Sequence, residues 1–191
     1  SKDNETLIRN EISKNFCKIN ASFPIQNNQK GILDAVKIGS GFLSNKLTWL
    51  IWCDQPLYPT DFLEELKIKL ISNDFDLIMP IFEKKDQYIG LNIHDGEIIS
   101  IKEKREGDEI KMKLPQDGGL FLFKSKLLKF LLKNEKKIEP GKKTNEKNFL
   151  HLLTRKIKPD WARYHLFDSG NVMYSKSFND QDELNEIKSL F

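Results

Sequence analysis

The stretch Trp49-Leu50-Ile51-Trp52-Cys53-Asp54-Gln55-Pro56-Leu57 decides how this chain reads: an apolar run stops at a carboxylate, and a proline turn follows at once. A buried strand ending in Asp puts a negative group at the carboxyl edge of a sheet, where open α/β folds gather ligands and metal ions. One such Asp can hold the Mg²⁺ of a nucleotide, because Mg²⁺ keeps several waters, takes phosphate oxygens and needs few protein carboxylates. Asp before a turn is also a common loop starter, so Asp54 taken alone leaves both readings open.

Outward from this strand, helices and strands alternate. Residues 3–16 read as a helix with Leu7, Ile8, Ile12 and Phe16 on one apolar face, 17–21 as a short strand, and 32–39 as a helix closed by Gly39 and Gly41. Thr60 caps a helix through Leu63, Leu66, Leu70 and Ile71, with Asp61, Glu64 and Glu65 near its amino end, where the helix dipole favours acidic groups. Residues 76–82 form a second apolar strand. Two segments, 89–93 and 97–101, flank His94-Asp95-Gly96 as a hairpin. A strand over 118–123, a helix over 125–132, a Lys-, Glu- and Asn-rich solvated loop over 133–147 and a helix over 149–157 follow. A strand over 162–167 and a closing helix over 180–191, capped by Asn179 or Asp180, complete an α/β sheet of mixed direction.

Length and composition bound the function classes. At 191 residues the expectation is one domain with a real core, and 39% hydrophobic with 31% charged residues reads as globular. The net charge is only +3 and the lysines are scattered, so nothing demands nucleic acid. Cys17 and Cys53 are the only cysteines, and Cys53 falls in an expected buried strand, which argues against a disulfide framework or a zinc site. No run of 18 apolar residues and no signal-type core occurs, so no membrane is called for and the default compartment is the reducing cytoplasm. A homo-oligomer is compatible with the sequence and not required by it. The chain begins at Ser1 without Met, which fits a processed start or a fragment.

Five further positions carry chemistry beside Asp54. Asn179 is a helix amino-terminal cap whose side-chain oxygen could also reach a metal. Gly31, in Gly31-Ile32-Leu33-Asp34-Ala35-Val36, opens a helix where bare backbone can approach a base or ribose, or simply makes a turn before a capping Asp34. Glu103, in Ile101-Lys102-Glu103-Lys104-Arg105-Glu106, belongs either to a solvated charge run or to a sugar-binding edge where Lys102, Lys104 or Arg105 faces phosphate. Asp117-Gly118-Gly119 can present a carboxylate and bare backbone to a ligand, or form a tight turn. His94, His151 and His165 lack the spacing of a metal cage or a Ser-His pair and read as structural or exposed, and Trp49, Trp52 and Trp161 read as core.

The order of these pieces is more telling than any one of them. Gly31-x-x-Asp34-Ala35-Val36, strand-Asp54-Gln55-Pro56-Leu57, Tyr88-Ile89-Gly90 with its hairpin, Ile101-Lys102-Glu103-Lys104, Asp117-Gly118-Gly119 before an apolar strand, and Ser177-Phe178-Asn179-Asp180-Gln181-Asp182-Glu183-Leu184 together resemble the sugar-1-phosphate nucleotidyltransferases. The likeness runs from Gly31 to the carboxyl terminus, roughly four-fifths of the chain. It implies a Rossmann-like, three-layer fold of the GT-A type with a mixed sheet and a hairpin insertion. By the same resemblance, Gly31 and Asp34 lie against the base, Gly90, Glu103 and Asp117 hold the sugar, and Asp54 and Asn179 bind Mg²⁺. Ile32, Leu33 and Cys53 depart from the family pattern.

The family opens with a strand and a Gly-x-Gly loop that cradles phosphates, and no such loop occurs in this sequence. The resemblance therefore implies a domain lacking roughly its first fifty residues, as a fragment or as a protein without that half of the site. The implied reaction is attack of a sugar-1-phosphate oxygen on the α-phosphorus of a nucleoside triphosphate, which requires alignment and charge neutralisation but no protein nucleophile. A cytidylyltransferase, a molybdenum-cofactor-type nucleotidyltransferase (which Asp-Gln-Pro-Leu also resembles) and a non-catalytic nucleotide- or sugar-binding domain are the competing expectations.

Overall fold

The computed structural model describes residues 2–16, 18–28, 30–43, 45–55, 57–83, 87–110, 113–168, 170, 174, 176–178 and 180–189. Strand β1 (Leu47–Ile51) pairs antiparallel with β6 (Leu120–Lys124), and β6 pairs antiparallel with β2 (Leu77–Phe82). The two-residue strand β5 (Gln116–Asp117) continues along the far end of β2 on the side that β6 occupies, and β7 (Tyr164–Asp168) runs parallel to β2 on its other side. β1, β2 and β7 therefore share one direction, with β5 and β6 reversed between β1 and β2. That is the mixed sheet expected from the alternation of elements.

Period-2 alternation splits the core into two layers. Leu77, Met79, Phe121 and Phe123 face one side of the sheet, where they pack with Leu33 and Val36 of α2 (Ile32–Ser40), Leu127, Leu128 and Leu131 of α4 (Ser125–Lys133), and Phe149, Leu150, Leu152 and Leu153. Ile78, Leu120 and Leu122 face the other side, against Leu66 and Leu70 of α3 (Thr60–Ser72). The result is helix, sheet, helix in three layers. A second sheet is the hairpin of β3 (Ile89–His94) and β4 (Glu97–Glu103), turned by Asp95 and Gly96, which both take positive φ as a two-residue hairpin turn requires. It is tied to the main body where Leu91 N–H donates to Pro115 O (2.7 Å) and Arg155 N–H donates to Ile98 O (2.8 Å).

Several expectations are corrected. Residues 18–21 form no strand, and Cys17 lies outside the described residues. Helix α1 (Lys2–Asn15) leaves Leu7 and Ile8 exposed, so its apolar residues do not join the core. Helix α3 starts at Thr60 itself after an extended Pro59, without a side-chain cap. The 149–157 helix is a 3₁₀ segment, Phe149–Leu153, capped by Asn148. β1 ends at Ile51, so Trp52, Cys53 and Asp54 lie in a turn closed by Gln55 N–H to Trp52 O (3.1 Å). Cys53 is consequently exposed rather than buried in a strand, and Trp161, at 47% exposure, is not core. The closing helix is α5 (Gln181–Lys188), capped by Asp180, whose Oδ1 accepts from Asp182 N–H and Glu183 N–H.

Candidate active site

The carboxyl end of β1 opens onto two adjoining cavities, both lined by Ile32 and Trp52. The larger, about 680 Å³, runs between α2 and β1 and is bounded by Ala35, Val36, Leu43, Trp49, Leu50 and Asp54. The smaller, about 180 Å³, is lined by Tyr88, Ile89, Arg105, Asp117, Asn148 and Leu150. Asp54 thus stands in the larger chamber and Asp117 in the smaller, with Trp52 between them. The indole packs edge-on against Phe121 and Phe149 and donates from Nε1 to Asp117 Oδ1 (3.2 Å). Trp52 is half core residue and half site residue, a double role the sequence reading assigned to core alone.

Asp54 is half-buried, and its side chain makes no hydrogen bond or ion pair among the described residues. Its backbone carbonyl accepts from Phe178 N–H (3.0 Å), which draws the segment before α5 to the tip of β1. Asn179 lies outside the described residues. A free carboxylate at a strand end is the hard-oxygen donor Mg²⁺ prefers. The described residues contain no group of three or more His, Cys, Asp or Glu side chains arranged to hold a metal.

Asp117, at the end of β5, is buried, and its Oδ1 also accepts from Gly119 N–H (2.9 Å). Gly119 has φ 72°, and a Cβ there would fall onto Gln55 Oε1 and Trp52, so glycine is what lets Gln55 cover this turn. Tyr58 donates its hydroxyl to Gly118 O. Burial and the nearby Asp117 charge push that phenol up, so it keeps its proton and remains a donor.

Glu103, the last residue of β4, is 4% exposed. Its Oε2 accepts from Asn148 Nδ2 (2.7 Å) and Arg105 Nε (3.1 Å), and Oε1 lies 3.0 Å from His151 Nε2. Burial alone would raise its pKa, but the His151, Asn148 and Arg105 donors outweigh it and hold the carboxyl at about 2. An ionised carboxylate only accepts, so His151 Nε2 carries the proton of this bond. Glu103 is thus no member of a solvated run. His151, which the sequence reading set aside, and Asn148, which it did not single out, complete the cluster.

The remaining sequence candidates line neither of these two cavities. Asp34 accepts from Gln26 Nε2 (2.8 Å) and faces a separate polar cleft with Lys30, Lys37 and Glu146. Gly31 takes φ 84° at the start of α2, where a Cβ would come within 2.9 Å of Glu146 Oε2. Gly90 packs against Leu114, whose Cδ1 would lie 2.9 Å from a Cβ, so its bareness admits an apolar side chain. His94 and His165 stay outside both cavities.

No protein-family model matches the sequence, and no curated protein matches it either. Solved structures do. A 4-diphosphocytidyl-2C-methyl-D-erythritol synthase from Anaerococcus prevotii is similar with a TM-score of 0.61 at 11% identity, over 99% of this chain and 77% of that one. A Bacillus anthracis protein described as a glucose-1-phosphate thymidylyltransferase, in complex with sucrose, is similar with a TM-score of 0.59 at 16% identity, over 94% of this chain and 75% of that one. At such identities the likeness shows the fold. The chain has the α/β fold of these two nucleotidyltransferases, with its mixed sheet and its hairpin.

Proposed function

We propose that this chain is a nucleotidyltransferase domain that joins a nucleoside monophosphate unit, taken from the triphosphate, to a sugar 1-phosphate and releases pyrophosphate. The observation that carries the reading is the pair of adjoining cavities at the end of β1. One holds the carboxylate of Asp54, which has no partner among the described residues, and the other holds Asp117, Asn148 and Arg105 among apolar neighbours. Two chambers sharing Trp52 suit a reaction in which two substrates must be held in line and the protein supplies no covalent nucleophile.

In this reading the triphosphate lies on the Asp54 side and the acceptor in the smaller chamber, which has room for about six waters, the size of one sugar ring or short polyol. Mg²⁺ held by Asp54 and Asn179 would neutralise charge on the phosphate oxygens. Trp52 keeps Asp117 oriented, and Tyr58 fixes the Gly118 carbonyl behind it. The base and the sugar are open between cytidylyl and thymidylyl transfer to a sugar or polyol phosphate, and a molybdenum-cofactor-type acceptor is the third alternative. We place the reaction in the reducing cytoplasm, which suits the exposed free thiol of Cys53. Among the described residues no helix is long and apolar enough to cross a membrane.

A second reading is a nucleotide- and sugar-phosphate-binding domain without turnover. A pyrophosphate-release screen over the four nucleoside triphosphates and a panel of sugar phosphates with Mg²⁺ separates the two. Release with one pair supports transfer. Ligand-induced melting shifts without release support the binding domain, and neither signal sinks both.

A further inference from the structure

We propose that Arg105 is the residue that contacts the acceptor and sets its specificity, and that Glu103 is a positioning residue that aims it. The inference rests on the proposed function and changes the role that resemblance assigns to Glu103. Glu103 does not line the chamber it would share with Trp52, whereas Arg105 and Asn148 do; it faces a separate cavity of similar size among Glu106, Asp108, Glu139 and His151. Its carboxylate already accepts from Asn148, His151 and Arg105. Its backbone is locked as well: Glu103 N–H donates to Asp108 Oδ2 (2.9 Å), and Asp108 N–H donates to Glu103 O (3.2 Å). A carboxylate so engaged has little left to offer a sugar hydroxyl.

Arg105 is the opposite case. It sits in the 3₁₀ turn Lys104–Glu106, with Nε on Glu103 and Nη1 on Glu146 Oε2 (3.3 Å). Its Nη2 makes no hydrogen bond among the described residues, and the side chain is 46% exposed at the wall of the chamber. Glu103 on Nε and Glu146 on Nη1 hold the planar guanidinium from its two sides, which fixes the direction of the remaining Nη2 donors before any ligand arrives. They also offset much of its charge, so Arg105 offers oriented N–H donors more than a long-range field. Such a group recognises ring or phosphate oxygens of a sugar or polyol phosphate at short range.

The grip is built from three separate segments. Glu106, seated over Gly141, accepts from Lys143 N–H (2.8 Å) and from the Thr144 hydroxyl (2.5 Å), which holds the loop carrying Glu146 against the turn. Asn148 Oδ1 accepts from Leu150 N–H (3.0 Å), which anchors Asn148 on the core. Glu103 is thus the node through which strand β4, the 3₁₀ segment at 149 and the Arg105 turn meet.

The test is isothermal titration of the wild type, Arg105→Lys, Arg105→Ala, Glu103→Gln and the Arg105→Ala/Glu103→Gln pair. Glucose 1-phosphate and erythritol 4-phosphate serve as acceptor probes, and CTP and TTP with Mg²⁺ as nucleotide probes. Arg105→Ala is expected to weaken the better acceptor probe by about tenfold or more while leaving triphosphate affinity within about twofold, and Arg105→Lys not to restore it. Glu103→Gln is expected to weaken the same probe and to add nothing in the Arg105→Ala background. Unchanged acceptor affinity in Arg105→Ala overturns the inference while the proposed function stands, and additive losses in the pair overturn the positioning role of Glu103. A wild type that binds none of the four probes removes the proposed function, and the inference with it. Should Glu103→Gln lose its fold by circular dichroism, the Arg105 variants still decide whether Arg105 contacts the acceptor.

Discussion

The backbone N–H of Phe178 donates to the carbonyl oxygen of Asp54 at 3.0 Å, joining the approach to α5 with the tip of β1 across most of the chain. The bond uses main-chain atoms and leaves the Asp54 carboxylate without a partner among the described residues, so the tip is braced without consuming its charge. Two distant segments that ordered motifs alone suggested as a pair are thereby neighbours in space.

From this brace, Asp54→Ala is expected to leave the far-ultraviolet circular dichroism and melting temperature close to wild type, because its side chain has no structural partner among the described residues. Mg²⁺-dependent pyrophosphate release is expected to fall by at least about a hundredfold, the scale of losing one transition-state charge contact. An unchanged rate in steady-state assays would remove Asp54 from the site.

Gly119→Ala should be costly. The residue holds φ 72°, and a methyl group there would strike Gln55 and Trp52. Left-handed strain of about 1–2 kcal/mol and overpacking of about 1–3 kcal/mol both act, giving a loss of roughly 2–5 kcal/mol in denaturant unfolding. A Gly96→Ala control, which also has positive φ but nothing within 4 Å, is expected to show the strain alone.

The pH dependence of stability carries the signature of Glu103. Its carboxyl is depressed from 4.5 to about 2 in the folded chain, so its contribution is full above pH 4.5 and is lost as pH falls through about 2. The contribution is on the order of 3 kcal/mol. Glu103→Gln is therefore expected to flatten the acid limb of a urea-unfolding series between pH 5 and pH 2, roughly the span of that shift. An identical slope in the variant would mean that the three donors do not hold this charge.

Phe149 meets Trp52, Phe121 and Phe123 edge-on and is fully buried. Phe149→Ala is expected to cost about 3–5 kcal/mol in chemical denaturation. Because the ring also backs Trp52, intrinsic tryptophan fluorescence is expected to shift red even under conditions where the variant remains folded. A blue or unchanged spectrum argues that Trp52 is held by other contacts.

Much of this was legible in the sequence because it depends on local pattern. Continuous apolar runs within 76–82 and 118–123 announced strands, which the structure places at 77–82 and 120–124, and the Asp95-Gly96 turn announced a hairpin whose positive φ angles few other residues accept. An apolar run meeting Asp54 at a proline turn announced a strand-end carboxylate, though the strand stops sooner than the run does. What pattern could not convey was which polar groups meet. Arg105, Glu146, Asn148 and His151 come from a charge run, an ordinary-looking loop and a short 3₁₀ segment. Glu103 becomes a buried node only because tertiary packing takes its carboxylate out of water and obliges it to find donors. The contacts of Gly90 and Asp34 were hidden for the same reason, since only the fold brings Leu114 and Gln26 to them. The sequence by itself determined most of the strands, the order of the main elements and a carboxylate at the turn after β1, set by apolar runs and turn chemistry. Tertiary structure alone decided that Glu103 faces inward while Arg105 lines the chamber, because the partners of a buried charge are chosen by long-range packing.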